Sequence, residues 1–503
     1  MAREPLLAVR RNILAILHQD DEVGASWADF ARAARKAGHD ATAQSAIMQA
    51  ERFGASMAHL ERAKLMWAVS AERHDALRLL REYIEEVKST AMASGTAQVS
   101  VVANPQMYVK TLVRYWTWVQ ETGLHPTLEV IEEFKRDAMA APQHTGSEKV
   151  QFVLGQFYDT LVFPDRGGRS RYEVRDPSSD KGNGSVVTNV KLVQFLPNIV
   201  KHYADSLKVG HKHIFQSLPR LLTLWFENST NDKVSTDIKE KLNMAVRRMS
   251  KEVPSYTWLS VFPQLVSRIC HPEPRVLECL KQIIAQVLSK HPKEALWAFV
   301  AVIKSTQSAR SKPAKQILEL VYKITPDNRA WRDAAKEFLG SEGSPGIVSE
   351  LMKVCNITTK TGNPQGKKKT LTMRGDCRAL YEMAPRSSVL VPIQAMLTPA
   401  FPSSGLSESG HNPFPDTAVT IQAFGDKIDV MASLMSPVVI RIIGSDGKQV
   451  INSPRVAYCY PRLLIVTLMV PGPLQYKFLC KPKDDLRKDS RMMDFNSVWT
   501  SRS

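Results

Sequence analysis

No stretch of this 503-residue sequence reaches the roughly 18 consecutive apolar residues that a membrane-spanning helix needs. The opening MAREPLLAVRRNILAILHQDDE interrupts its apolar positions with charges and has no small-residue cleavage site, so neither secretion nor membrane insertion is expected. Cysteine is scarce. Cys270, Cys279, Cys355, Cys377, Cys459 and Cys480 stand far apart, with no C-x-x-C pair and no histidine cluster at zinc spacing, which excludes a disulfide scaffold and a structural zinc site. They read as reduced thiols of a cytosolic or nuclear protein. Acid is in short supply too: 50 Asp and Glu against 67 Lys and Arg leave a net charge of +17. That favours an anionic partner such as nucleic acid or nucleotide, but a surplus spread so thinly sets no specificity. The 44% hydrophobic and 23% charged residues are those of an ordinary soluble protein, and the length allows about three domains.

What is present, over residues 1 to about 340, is helix after helix, because apolar residues recur at three and four with short punctuation between them. In WADFARAARKAGH, Trp27, Phe30, Ala31 and Ala34 share a face, and Gly38 can close the helix in a left-handed conformation. The following ATAQSAI supplies small alanines that let a second helix approach closely, making a helical hairpin. Similar units occur at ERAKLMW (61–67), LVRYWTWVQETG (112–123) and EKVQFVLGQFYDTL (148–161). Stacked hairpins of this kind make an α-solenoid of the tetratricopeptide type, each unit burying its apolar face against its neighbours. Trp67, Trp116, Trp118, Trp225 and Trp297 fall at packing positions and read as core; His211 and His213 read as solvated. Residues 163–188 read as an exposed polar loop, and the basic run between 358 and 374 as solvated.

After residue 388 the grammar changes to short β-branched and apolar runs, VLVPIQAML, AVTIQAF, VVIRIIGSDGK and QYKFLCK, which read as strands. Two stretches carry chemistry. VVIRIIG leads into Gly444, Ser445, Asp446 and Gly447, a tight turn whose amides and hydroxyl suit a phosphate, or simply a hairpin turn. KFLCKPKDDLRKD delivers Lys481 from a strand and then an acidic helix start. Such a lysine is a surface residue, or a strand lysine that grips nucleotide phosphates beside a helix carboxylate.

The run CKPKDDLRKD (480–489) resembles the ATP-lysine segment of the phosphatidylinositol 3-kinase-related protein kinases, the ATR branch in particular. FQSLPRLLTLW (215–225), HPKEALW (291–297), EPLL (4–7) and ARKAGH (34–39) resemble the helical FAT region that precedes the catalytic domain in that family. The resemblance implies a mostly α chain: a FAT-like helical-hairpin solenoid over 1–305, a helical connector with a basic loop over 306–385, and a partial α+β kinase N-lobe over 386–503. It implies that Lys481 contacts ATP phosphates, that Asp484 or Asp489 is its acidic partner, and that Gly444, Ser445, Asp446 and Gly447 form the phosphate loop. The Mg²⁺ or Mn²⁺ ligands and the residues that orient the substrate hydroxyl are expected in a C-lobe with no counterpart here; Asp494-Phe495-Asn496 is a near-match to D-F-G by accident. The implied function is an ATR-like serine/threonine kinase that acts on Ser/Thr-Gln sites in DNA-damage and replication checkpoint signalling. It would be nuclear, dimeric as the full-length enzyme, and paired with an ATR-interacting regulatory subunit, touching DNA only indirectly.

Two departures qualify this. The chain reads as a fragment at both ends, and residues 450–475 (VINSPRVAYCYPRLLIVTLMVPGPLQ) lengthen what the family makes a short hairpin between the phosphate loop and the lysine strand. Valine codons begin with GT and a glutamine codon can end in AG, so this stretch reads as a translated intron; Val498 could open a second one. A surface insertion is the other reading. For the polypeptide as written, a non-catalytic helical scaffold that binds protein partners is the competing function. Direct nucleic-acid binding rests only on the net charge and Lys367-Lys368-Lys369.

Overall fold

The alanine-rich three-and-four spacing becomes antiparallel helix pairs in the computed structural model. It describes residues 4–93, 104–141, 146–163, 192–305, 307–360, 371–384, 387–391, 397–402, 411–414, 418–430, 438–445, 459–460, 463–464 and 476–480. Contacts divide the chain into one unit of residues 1–217 with 233–238 and another of 218–232 with 239–503.

The first unit holds α1 (Glu4–Ile16), α2 (Asp20–Lys36), α3 (Asp40–Arg52), α4 (Ala58–Ala68), α5 (Arg73–Ala93), α6 (Pro105–Thr122), α7 (Thr127–Ala138), α8 (Glu148–Val162) and α9 (Leu196–Val209), with the start of α10 (Ile214–Ser229). The pairs α2/α3, α4/α5, α6/α7 and α8/α9 pack as hairpins. Helix α2 starts with Asp20, Asp21 and Glu22 against its positive N-terminal dipole and buries Ala28, Ala31 and Ala34 against Ala43, Ala46 and Ala50 of α3. Alanines on both faces leave room for close approach. Gly38 has φ +77°, the left-handed conformation expected of it. Helix α6 is capped by the Asn104 side chain, which accepts from the Met107 amide at 3.2 Å, and ends at Gly123 with φ +66°. Between α8 and α9 the close point is Gly155, where a Cβ would stand 2.6 Å from the Tyr203 ring.

The second unit carries the remainder of α10, α11 (Thr236–Glu252) from Lys239 on, α12 (Phe262–Ser267), α13 (Pro274–Lys290), α14 (Pro292–Ile303), α15 (Ser308–Ile324), α16 (Arg329–Leu339) and α17 (Ile347–Lys360), followed by the short α18 (Met373–Asp376) and α19 (Arg378–Met383). Trp225, Trp258, Trp297 and Trp331 are its fully buried anchors. The Trp225 indole donates to Asn243 Oδ1 at 2.7 Å, and that of Trp297 to the Leu390 carbonyl at 2.9 Å. The latter bond ties the segment after the helices to α14.

A two-residue hairpin, β1 (Gly340–Ser341) and β2 (Ser344–Pro345), sits between α16 and α17. The larger sheet contains β3 (Leu371–Thr372), β4 (Ile421–Phe424), β5 (Lys427–Val430), β6 (Val438–Gly444), β7 (Cys459–Tyr460), β8 (Leu463–Leu464) and β9 (Tyr476–Cys480). β4 and β5 lie along one side of β6, Ile421 opposite Gly444 and Val430 opposite Val438, so they act as one antiparallel strand whose register shifts between Ile421 and Ala423 and which is broken by a bulge at Gly425 and Asp426. The bulge keeps the ladder, since the Gly425 amide donates to the Arg441 carbonyl at 2.9 Å. It also caps α18: Asp426 accepts from the Met373 and Arg374 amides. On its other side β6 pairs with β9, Val438 opposite Cys480 through Ile442 opposite Tyr476.

The mostly helical chain, a hairpin array followed by a small antiparallel sheet, is the fold class read from the sequence. Three local expectations change. VLVPIQAML is not a strand where described: Leu390 makes a single bridge to Thr420, and the Leu390 carbonyl is taken by Trp297. At the end of the basic run, Leu371 and Met373 are buried rather than solvated, because β3 pairs with β5. His213 is not solvated; it stacks on Phe152 with centroids 4.0 Å apart. The remaining basic-run residues 361–370 and the loop residues 164–188 lie outside the described residues. No helix among the described residues is long and apolar enough to cross a membrane.

Candidate functional site

Of the residues the resemblance assigns to ATP, Gly444 and Ser445 are described, whereas Asp446, Gly447, Lys481, Asp484 and Asp489 lie outside the described residues, as do Asp494-Phe495-Asn496. Gly444 closes β6 opposite Ile421. Ser445 is an anchor: its amide donates to the Thr420 carbonyl at 2.9 Å, and its Oγ accepts from the Thr420 amide at 3.1 Å. The amide is thus engaged with Thr420, while the hydroxyl, an acceptor in that pair, keeps its own O–H to donate. The β6–β9 register also brings the segments on either side of 450–475 together as paired strands. Among the described residues no cluster of acids, histidines and cysteines could hold a metal ion.

A second site, which the sequence reading passed over, lies inside the first unit. The cleft encloses about 680 Å³ and is lined by residues of α4, α6 and α8, the first helices of three successive hairpins, with Arg32 of α2 and the turn before α10. Its floor is apolar: Leu60, Val109, Val113 and Val153 are buried and Met57 is half-buried. Its walls are basic. Arg32, Lys64, Lys110, Arg114, Lys149 and Lys212 all line it. A smaller neighbouring cavity of about 530 Å³ shares Arg32, Lys64 and Arg114 and adds Arg35, Lys36, Trp67 and Trp118. Trp118 is buried as expected, but Trp67 is only half-buried, stacked flat on it at 4.3 Å.

Charge along this wall is handled in two ways. Glu61, fully buried, accepts from Arg32 Nε at 3.3 Å, Arg35 at 3.0 and 3.2 Å, and Lys64 Nζ at 2.6 Å. Burial alone would raise its pKa, yet the bonds and charges of Lys64 and Arg35 hold it below the usual carboxylate value. Lys110, Arg114, Lys149 and Lys212 make no ion pair with a carboxylate among the described residues, though Glu148 next to Lys149 partly offsets its charge; Arg114 lies over the Trp118 ring and Lys149 over that of Phe152. The lone acid lining the cleft, Glu148, is occupied: its Oε1 accepts from the His213 amide at 2.9 Å, capping the turn into α10, and its carboxylate lies against Gly210. Desolvation, followed by the nearby Arg114, lowers the Lys149 pKa, and burial with Lys149 and Lys212 takes His213 down to about 4. Ser147 Oγ, buried at the cleft, has no hydrogen-bond partner. The sequence does carry a signal. Lys110 and Arg114 lie four apart beside Val109 and Val113, on a helix whose one acid is Glu121.

Helical hairpins in series with a small antiparallel sheet define a repeat-array protein, and comparison with known proteins places it more closely. Residues 1–223 match the family model described as FAT domain, and residues 241–338 the one described as serine/threonine-protein kinase ATR-like, HEAT repeats. Similar curated proteins include serine/threonine-protein kinase ATR of Oryza sativa subsp. indica (32% identical over 99% of this chain) and of Arabidopsis thaliana (31% over 99%), and protein kinase rad3 of Schizosaccharomyces pombe (26% over 94%). The chain spans 18% of the length of each of these relatives. Among solved structures, the FAT and kinase domain of CtTel1 matches with a TM-score of 0.54 at 14% identity, covering 85% of this chain and 30% of that one. The open conformation of CtTel1 matches at 0.55 and 13%, covering 85% and 16%. These two share the fold. Over nearly its whole length the chain is related to the ATR-type phosphatidylinositol 3-kinase-related protein kinases.

Proposed function

We propose that this chain is the FAT region and part of the kinase N-lobe of an ATR-like serine/threonine protein kinase, and that it supports catalysis without performing it. The observation that carries the reading is the β6–β9 pairing at the end of the helical array: the strand that leads to Lys481 lies against the strand that leads to Gly444 and Ser445. In the longer protein, Lys481 with Asp484 or Asp489 would hold the ATP phosphates. The loop of Gly444, Ser445, Asp446 and Gly447 would lie over them, with Ser445 fixing the loop through Thr420. These groups bind and orient; positioning and charge stabilisation are what phosphoryl transfer asks of a protein. The divalent metal, Mg²⁺ or Mn²⁺, would supply charge neutralisation from ligands in a C-lobe. Transfer to Ser/Thr-Gln sites, checkpoint and DNA-repair signalling, nuclear location, a regulatory subunit and a dimeric whole enzyme all belong to this reading through kinship.

The codons for 450–475 are, in the same reading, a retained intron. Without them the connection from Ile442 to Tyr476 shortens to residues 443–449, a hairpin length that the β6–β9 register accommodates. Full-length transcripts that always keep these codons would reject that part alone. The enzymatic reading is tested on the kinase purified from its source: it should phosphorylate a Ser-Gln peptide and not the Ala-Gln control, and Lys481→Ala should reduce transfer to background. Undiminished transfer by that variant would remove Lys481 from the nucleotide site.

A further inference from the structure

We propose that the cleft between α4, α6 and α8 is a docking groove for an acidic peptide that also carries apolar side chains. The inference goes beyond the kinase reading and does not require the chain to be catalytic. It rests on three features of one cavity. First, the cations are in excess, six against the one carboxylate of Glu148. Lys110, Arg114, Lys149 and Lys212 converge on the cleft without an ion pair to a carboxylate among the described residues, and the one acid lining it, Glu148, acts on Lys149 from the next position while it accepts from the His213 amide. Like charges gathered this way cost free energy unless an anion joins them.

Secondly, the floor is not polar. Val109, Val113 and Val153, with Leu60 and Met57, would leave a simple phosphate compound lying on hydrocarbon, whereas a peptide with leucine-like side chains every few residues covers it. The cations stand beside these residues in helical register: Lys110 and Arg114 are one turn apart on α6, and Lys149 and Val153 one turn apart on α8. Thirdly, the groove uses the first helices of successive hairpins, the continuous surface that stacked repeats present to extended ligands. Apolar floor and basic walls together select acidic residues interleaved with apolar ones. Ser147 Oγ adds a buried polar group without a partner.

The test uses the full 503-residue chain and a fluorescein-labelled peptide of about four helical turns, with leucine at every third or fourth position and Glu or Asp elsewhere. Anisotropy should show saturable binding that weakens as salt rises. The variant Lys110→Ala/Lys149→Ala/Lys212→Ala should bind about tenfold or more weakly. A charge-matched control, Lys251→Ala/Lys293→Ala/Lys315→Ala, whose residues are exposed and lie outside the cleft, should bind as the parent does. Replacing the peptide leucines by serine should also weaken binding about tenfold. Equal loss in both triple variants would overturn the proposal, because net charge alone would then explain binding. So would a leucine-free peptide, tripolyphosphate or a thymidine oligonucleotide that binds as tightly as the leucine-bearing probe; the cleft would then be a general polyanion site. Far-ultraviolet circular dichroism of both triple variants should match the parent, since all six lysines are exposed.

Discussion

Two flanks of one cleft carry the same charge in opposite states. On the α2 and α4 flank, Arg32, Arg35 and Lys64 close around the buried carboxylate of Glu61. On the α6 and α8 flank, Lys110, Arg114 and Lys149 face the cavity without an ion pair to a carboxylate among the described residues. Charge on the first flank holds two hairpins together; charge on the second is left over for something else. Asp137 repeats the first pattern: buried, it receives the Trp116 indole at 2.9 Å and contacts Lys88, and its carbonyl accepts from Tyr108 at 2.9 Å.

The comparison breaks most visibly at Glu61. Glu61→Ala leaves three cations around an emptied acceptor and should lower unfolding free energy by about 3 kcal/mol, read from urea denaturation of the whole chain. A loss below about 1 kcal/mol would mean that the cluster is decorative. Next in size is Gly155→Ala, whose Cβ would meet the Tyr203 ring at 2.6 Å. Separation of α8 from α9 should cost about 2 kcal/mol in the same assay, and Ala causing no change would show that the helices yield freely.

A pH series sharpens the contrast from the neutral side. His59, His202, His213 and His291 each have pKa values lowered from 6.5 to about 4, chiefly by burial. Between those values the unfolded chain binds more protons than the folded one, so stability rises with pH across the window and is lost as pH falls from about 6.5 towards 4. Urea midpoints at about pH 5 and pH 7.5 should differ in that direction; a flat profile would place these rings in water. A smaller effect is expected where the strands begin. Ser445→Ala removes the acceptor for the Thr420 amide and should cost about 1 kcal/mol, with β4 exchanging its amide hydrogens faster than β6.

The helices were legible because their signals are local. Gly38 stops a helix at positive φ, and alanine faces such as Ala28, Ala31 and Ala34 mark close packing. The strands Val438–Gly444 and Tyr476–Cys480 were likewise visible, the first as a β-branched run and the second as an aromatic and apolar one, and they pair antiparallel across residues 443–475. What sequence could not show is long-range convergence. Lys110, Lys149 and Lys212 are ordinary surface lysines when read alone, and they share a cavity because three hairpins stack in register. His213 looked solvated for the same reason: Phe152, the ring that covers it, is distant in sequence. At the end of β6 the same holds: the pairing of Ser445 with Thr420, remote in sequence, could not be read from the residues around Ser445 alone.

The central claim, that the cations of the α6 and α8 flank serve a ligand rather than the fold, is tested most directly by urea denaturation of Lys110→Ala/Lys149→Ala/Lys212→Ala beside Glu61→Ala. The account predicts that the triple variant unfolds within about 0.5 kcal/mol of the parent, or slightly later as repulsion is relieved, while Glu61→Ala falls by about 3 kcal/mol. A triple variant that loses as much stability as Glu61→Ala would contradict it.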